Sequence, residues 1–234
     1  MSQVSTGIKG LDEMLKGGLP KGRVILLCGG PGTGKTIFSL EFLVHASEKG
    51  IPGVYATLEE PIDLILENVD PFGWNIIEKE KKQRLKLIES RVMSREDYAD
   101  GGKNEVSSIT NSIFKAAKSI NAELAVIDPL TSIIISEHRA GEKRRKIAEL
   151  FNQLRTSGLT SVITSETSPG KNEFYIEEFL ADGIIRLEKV VRNFKLFRTI
   201  RIEKMRGIEH DEQPRRYTID AKAFTVYSTE PITT

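Results

Sequence analysis

The sequence predicts an α/β fold: a mainly parallel sheet flanked by helices, with a C-terminal antiparallel β extension, in one domain spanning residues 1–234. Three observations predict it. From Met1 to about Thr167, short apolar runs suited to buried strands alternate with segments of helical period, the rhythm of a sheet covered on both faces. One strand–helix junction, residues 29–36, is a glycine-rich loop of defined spacing. Beyond Gly183 the helical segments stop and strand-like runs follow one another across polar turns, which predicts antiparallel strands.

The elements follow in order. Val24–Cys28 is an apolar strand, and Phe38, Phe42 and Ala46 mark a helix over Lys35–Ser47. Gly53–Thr57 is the next strand, and Pro61 is placed as the first residue of a helix over Ile62–Val69. Leu85–Ile88 is a short strand, followed by a polar stretch, Ser90–Lys103, that predicts a mobile loop. A helix from about Asn104 to Ile120 shows Val106, Ile109, Ile113, Ala117 and Ile120 on one face. Leu124–Asp128 is a strand, and Ile147, Leu150, Phe151 and Leu154 mark a helix ending near Ser157-Gly158. Thr160–Thr164 completes the alternating part. Gly183–Val191, Phe197–Met205, Arg216–Ile219 and Phe224–Tyr227 form the extension.

Composition bounds the class. The chain is 39% hydrophobic, enough for a core, and its net charge of +1 gives no global argument for nucleic acid or membrane. Cys28 is the only cysteine, so an internal disulfide and a thiol metal cluster are excluded, and its strand position predicts a core residue. Met1–Lys9 has no apolar signal core and no run reaches membrane-spanning length, which predicts a cytoplasmic protein with no membrane partner.

The loop reads Gly29-Gly30-Pro31-Gly32-Thr33-Gly34-Lys35-Thr36, the G-x-x-x-x-G-K-T pattern of a phosphate-binding P-loop, and Ile37 continues it into the helix. Loop N–H groups and the positive helix end would face the β-phosphate, and Lys35 would reach the β- and γ-oxygens. Thr36 would offer its hydroxyl to Mg²⁺. The expected ligand is a nucleoside triphosphate, ATP or GTP, with Gly30, Pro31, Gly32, Thr33, Gly34, Lys35, Thr36 and Ile37 around it.

Three further groups belong to the same chemistry. Asp128 ends the run Leu124-Ala125-Val126-Ile127, and an acid at that end of a parallel strand lies beside the P-loop, where it can hold Mg²⁺. Glu59 and Glu60 follow the strand Gly53–Thr57; Glu59 is expected to polarise the attacking water with Glu60 supporting it, and the alternative is that they are helix N-terminal acids, one of them a cap. Thr164-Ser165-Glu166 ends another core strand, where a polar side chain can sense the γ-phosphate and report to the loop Thr167–Phe174.

Two basic segments stand apart. Residues 186–216 carry ten Lys or Arg against five Asp or Glu, and a solvated strand face is the simplest account. Within it Lys204 and Arg206 share strand parity, and two cations held together suit a transferring phosphoryl group; His210 is nearby. The run His138–Lys146 could bind nucleic-acid phosphates but holds no aromatic for base stacking, so an exposed first helical turn is the alternative.

Several motifs together resemble one family. Ser5-Thr6-Gly7-Ile8-Lys9-Gly10-Leu11-Asp12, Gly17–Gly22, the P-loop, Leu58-Glu59-Glu60, Val126-Ile127-Asp128, Ile176–Gly183 and Lys204–His210 are similar to a KaiC-type domain over nearly the whole chain. The resemblance points to the KaiC-like branch of the RecA/RadA ATPases, as a single-domain prokaryotic member of archaeal type. It implies a RecA-like P-loop fold that assembles into a homohexameric ring or a filament, with ATP and Mg²⁺ at subunit interfaces. It also implies that the paired glutamates include the hydrolytic base, and that Lys204, Met205, Arg206 and His210 reach a neighbour's nucleotide. Slow ATP hydrolysis coupled to assembly or to a protein partner is the activity expected.

Three departures qualify the resemblance. One ATPase domain stands where the circadian clock protein has two, so a clock role does not carry over. Pro129 follows Asp128 where a small hydroxyl residue is usual, and Glu166 stands where recombinases carry Gln. The alternatives are a recombinase paralogue that binds single-stranded DNA and an ATP-dependent switch with negligible turnover. A small-molecule kinase is less expected, because no arginine-rich lid follows the core strands.

Overall fold

The computed structural model describes residues 2–89, 105–134, 139–167, 175–192 and 194–230; Ser90–Lys103, His138 and all but the first residue of Thr167–Phe174 lie outside these. A small antiparallel pair, β1 (Gln3–Val4) and β2 (Leu19–Pro20), brackets helix α1 (Leu11–Met14). The main body then runs β3 (Val24–Gly29), α2 (Lys35–Glu48), β4 (Gly53–Thr57), α3 (Ile62–Val69), a 3₁₀ turn (Asp70–Phe72), α4 (Ile76–Lys81) and β5 (Leu85–Glu89). It continues through α5 (Glu105–Ile120), β6 (Leu124–Asp128), α6 (Thr131–Ile134), α7 (Ala140–Ser157), β7 (Thr160–Glu166) and α8 (Ile176–Leu180). Strands β8 (Gly183–Arg192), β9 (Lys195–Met205), β10 (Arg215–Ile219) and β11 (Phe224–Val226) complete it.

Among the described residues nine strands form one sheet in the order β11-β10-β9-β8-β3-β7-β6-β4-β5. Strands β5 to β8 across that order run parallel, and β9, β10 and β11 are added antiparallel. The boundary of the antiparallel extension is therefore corrected by one strand. β8 pairs parallel with β3 from Ile25↔Gly183 to Gly29↔Leu187. The five-residue α8 precedes it, too short to show a helical period in the sequence. Pro61 is also displaced by one position: with ψ at 142° it precedes the helix, and Ile62 opens it.

The alternation of side chains places a core on each face of the sheet. Ile25, Leu27, Tyr55 and Val126 pack with Phe38, Phe42 and Leu43 of α2 on one side. Leu26, Cys28, Val54 and Ile127 pack on the other against Ile109 and Ile113 of α5 and Leu150, Phe151 and Leu154 of α7. Cys28 is buried as expected, and burial pushes its thiol far above the usual range. The extension is joined to α2 by aromatic contacts: Phe224 stacks on Tyr217 at 4.4 Å and meets Phe38 edge-on at 5.6 Å.

Glu41 of α2 is buried at that junction and accepts the Phe224 N–H on Oε2 at 2.7 Å. Burial pushes its carboxyl from 4.5 up to about 7, the Phe224 N–H acting against the shift and the Asp220 charge adding to it. A folded-state value above the unfolded one means that folding favours the protonated acid. That contribution is complete below pH 4.5 and is lost as pH rises through about 7. Glu41→Gln, which retains an acceptor, should therefore gain on the order of 1–3 kcal/mol over wild type between about pH 5 and about pH 8. Urea unfolding at the two pH values measures this, and parallel pH dependences in the two proteins would refute it.

Candidate functional site

The parallel part of the sheet sets one edge where β3, β4, β6 and β7 all end, and the expected chemistry gathers there. β3 delivers the chain into the P-loop, and α2 starts at Lys35. Gly32 and Gly34 have φ of 68° and 94°, left-handed conformations that a side chain would strain. A Cβ on Gly34 would also lie 2.2 Å from Ile219 Cδ1. The loop is braced from within and behind: Thr33 Oγ1 donates to Gly30 O at 2.8 Å, and Tyr217 of β10 donates its hydroxyl to Thr33 O at 2.6 Å. Thr33 is thus turned inward, while Pro31, Gly32, Gly34, Lys35, Thr36 and Ile37 line a cleft of about 370 Å³.

Lys35 donates from Nζ to Gly29 O at 2.8 Å and Gly30 O at 3.2 Å, and lies 3.9 Å from Glu166 Oε1. Burial lowers its pKa, opposed by the charges of Glu166 and Asp128. Asp128 is held by hydroxyls from three elements. Thr36 donates to Oδ2 at 2.8 Å, Tyr55 donates to Oδ2 at 2.7 Å, and Thr164 donates to Oδ1. Tyr55 is raised well above the usual range by burial and by the Asp128 charge. It was not anticipated from sequence. The only available signal was a phenol inside the apolar strand Gly53–Thr57, whose register with β6 puts Thr57 opposite Asp128.

Glu59, Glu60 and Glu166 line the same cleft as Lys35 and Asp128. Glu59 accepts from Ser132 Oγ on Oε2 at 3.3 Å, and Thr57 Oγ1 donates to the backbone oxygen of Glu60 at 2.7 Å. Neither glutamate caps α3. That helix has no side-chain cap at its own N-terminus, and its first N–H, of Ile62, points to Glu89 Oε2 at 3.4 Å. The alternative reading of one of them as a helix cap finds no hydrogen bond, and both carboxylates stand in the cleft.

Lys204, Met205, Arg206 and His210 lie elsewhere. β9 runs antiparallel to β8, so its end returns to the opposite sheet edge, where Arg206 N donates to Asp182 O at 2.9 Å. Asp182 N in turn donates to Val24 O at 2.9 Å, at the first residue of β3. The length of β3, about 17 Å at ~3.3 Å per residue, separates this edge from the P-loop. Lys204 and Arg206 do face the same way, both toward the segment 178–182. Met205 is 3% exposed and packs in the core, so its side chain is not a ligand group. His210 is half-buried, with Nδ1 3.5 Å from Ile208 O and Nε2 3.9 Å from Glu212 Oε1.

The basic segment beyond residue 186 is not a uniform solvated face. Arg186 is largely buried and bridges Glu178 at 2.7 Å and Glu203 at 2.7 Å, and Arg215 pairs with Asp211 at 2.6 Å. Residues 139–146 form the exposed start of α7, with Arg145 paired to Glu142 at 2.9 Å. Among the described residues no helix is long and apolar enough to cross a membrane. No group of three or more His, Cys, Asp or Glu among them could hold a metal. The cleft instead offers hard oxygen donors, one carboxylate and one hydroxyl 2.8 Å apart. That set suits Mg²⁺, whose remaining ligands would be water and phosphate.

Comparison with known proteins gives a consistent result. The sequence profile of the family described as "ATPase: KaiC" matches residues 4–231. A UPF0273 protein of Pyrococcus horikoshii is 34% identical over 233 residues, covering 96% of this chain and 94% of that one. A UPF0273 protein of Thermotoga maritima is 32% identical, covering 98% of both. The circadian clock oscillator protein KaiC of Prochlorococcus marinus is 33% identical over 97% of this chain, which spans 46% of that protein. The crystal structure of a KaiC-like protein from Pyrococcus horikoshii superposes with a TM-score of 0.84 at 33% identity, covering 97% of this chain and 99% of that one.

Proposed function

This chain belongs to the KaiC family of ATPases, and on that premise we propose that it is a Mg²⁺-dependent ATPase acting as an oligomer, with nucleotide at subunit interfaces. The observation that carries the reading is the convergence of Lys35, Thr36, Asp128 and Glu59, from three segments, on one cleft. Lys35 would exchange its two carbonyl contacts for the β- and γ-oxygens of ATP. Thr36 and Asp128 would hold Mg²⁺, with Tyr55 and Thr164 fixing the carboxylate's orientation. When bound, the ion neutralises charge across the β- and γ-phosphates.

Glu59 would orient a water molecule and accept its proton as the water oxygen bonds to the γ-phosphorus. The bond from that phosphorus to the β–γ bridging oxygen breaks, leaving ADP and phosphate. Arg206 and Lys204 cannot serve their own P-loop across the length of β3, so they fit a head-to-tail arrangement in which one copy's β9 end meets the next copy's cleft. Repetition of such a heterologous contact gives a ring if it closes and a filament if it does not.

Titration with ATP and measurement of phosphate release test the reading. Wild type should bind ATP and release phosphate only with Mg²⁺, and Lys35→Ala should lose both activities. Failure of the folded wild-type chain to bind ATP would overturn it.

A further inference from the structure

Around Asp182 three arginines, Arg23, Arg155 and Arg206, face one buried carboxylate, and Lys204 stands beside them. Its side chain is 4% exposed and is locked from two sides. Oδ2 accepts the Val24 N–H at 3.1 Å and Arg155 Nε at 2.8 Å, and Arg155 in turn donates to Leu180 O at 2.6 Å. Oδ1 lies 3.8 Å from both Arg23 and Arg206. Lys204 donates from Nζ to Ala181 O at 2.6 Å and to Glu178 O at 3.2 Å. Burial and then the Arg206 charge lower its pKa.

The geometry points to Asp182 as a positioning residue for Arg206: a fixed carboxylate that aims the guanidinium outward without capturing it. The inference rests on the interface-ATPase reading above and deepens it.

The contrast with Arg186 carries the argument. Arg186 is 14% exposed and closes at 2.7 Å on Glu178 and again on Glu203, so it is committed within the fold. Arg206 is 55% exposed and stands 3.8 Å from a carboxylate whose Oδ2 is already engaged by Val24 and Arg155. The charge of Asp182 narrows the directions open to a long, exposed side chain, while the separation leaves the guanidinium donors available to a phosphate. The other three cations oppose any collapse of Arg206 inward. Its backbone is referenced to the same residue, since Arg206 N donates to Asp182 O at 2.9 Å. Main chain and side chain of the finger are therefore both set by residue 182.

Asp182→Asn is nearly isosteric and keeps an acceptor for the Val24 N–H. It should lower kcat for ATP by about 10–100-fold, the cost of a misaimed charged group, and leave ATP affinity without turnover unchanged. Three comparisons separate positioning from loss of structure. On the Arg206→Ala background Asp182→Asn should have no further effect on kcat, because both changes remove one interaction. Mixed one-to-one with Lys35→Ala subunits, Asp182→Asn subunits should recover about a quarter of wild-type turnover, since random mixing pairs an intact P-loop with an intact finger at that frequency. Arg155→Lys, which loosens the carboxylate without removing it, should act in the same direction and replaces Asp182→Asn in both experiments if that variant does not fold.

Wild-type kcat in Asp182→Asn, an undiminished loss on the Arg206→Ala background, or no recovery on mixing would each overturn the assignment. If Arg206→Ala itself keeps wild-type turnover, the finger reading fails first. If Arg206→Ala is inactive and Asp182→Asn is not, only the role of Asp182 falls.

Discussion

Arg206→Ala should lower ATP turnover by about 10³–10⁵-fold, the range of an arginine supplied to a transferring phosphoryl group, with ATP affinity largely retained. The separation of the two effects follows from place. Arg206 is at the far end of β3 from the P-loop, so removing its guanidinium leaves Lys35, Thr36 and Asp128 as they are. Its side chain is 55% exposed and meets Asp182 only at 3.8 Å, so truncation leaves little uncompensated in the fold. Calorimetric binding of ATP beside phosphate release distinguishes the cases. Equal losses of affinity and turnover would place Arg206 in ground-state binding, and wild-type turnover would remove it from the reaction.

Glu59→Gln should lower turnover by about 10²–10⁴-fold, the typical worth of a positioned general base, with nucleotide still bound. Glu60→Gln should cost less. Both carboxylates stand in the cleft with Lys35 and Asp128, and neither caps α3, so helix stability does not confuse the comparison. Glu59 is also oriented by Ser132 at 3.3 Å, whereas at Glu60 it is the backbone oxygen that is held by Thr57. Single-turnover hydrolysis by the two variants measures this, and a larger loss in Glu60→Gln would exchange their roles.

What could be read from sequence follows from burial. Strands covered on both faces read as unbroken apolar runs, so Val24–Leu27 and Leu124–Ile127 were visible, and the acid closing the second was placed correctly beside the P-loop. The long helices declared themselves through period, down to the left-handed Gly158 that ends α7. Short elements did not. α1, α6 and α8 span four or five residues each, less than the period needed to detect them, and missing α8 hid the parallel pairing of β8.

Partners that depend on register across strands were equally hidden. Tyr55 and Thr164 converge on Asp128 from two different strands, and no spacing along the chain encodes that meeting. Strand parity did show that Lys204 and Arg206 turn the same way. Only the pairing of β8 with β3 shows which edge they occupy, and so why they cannot reach their own cleft.

If the competent site is shared between copies, specific activity depends on protein concentration. Phosphate release per chain, followed with mass in solution across a dilution series, should fall as the assembly dissociates and vanish in the monomer. A monomer that turns over ATP at the undiluted specific rate would contradict it.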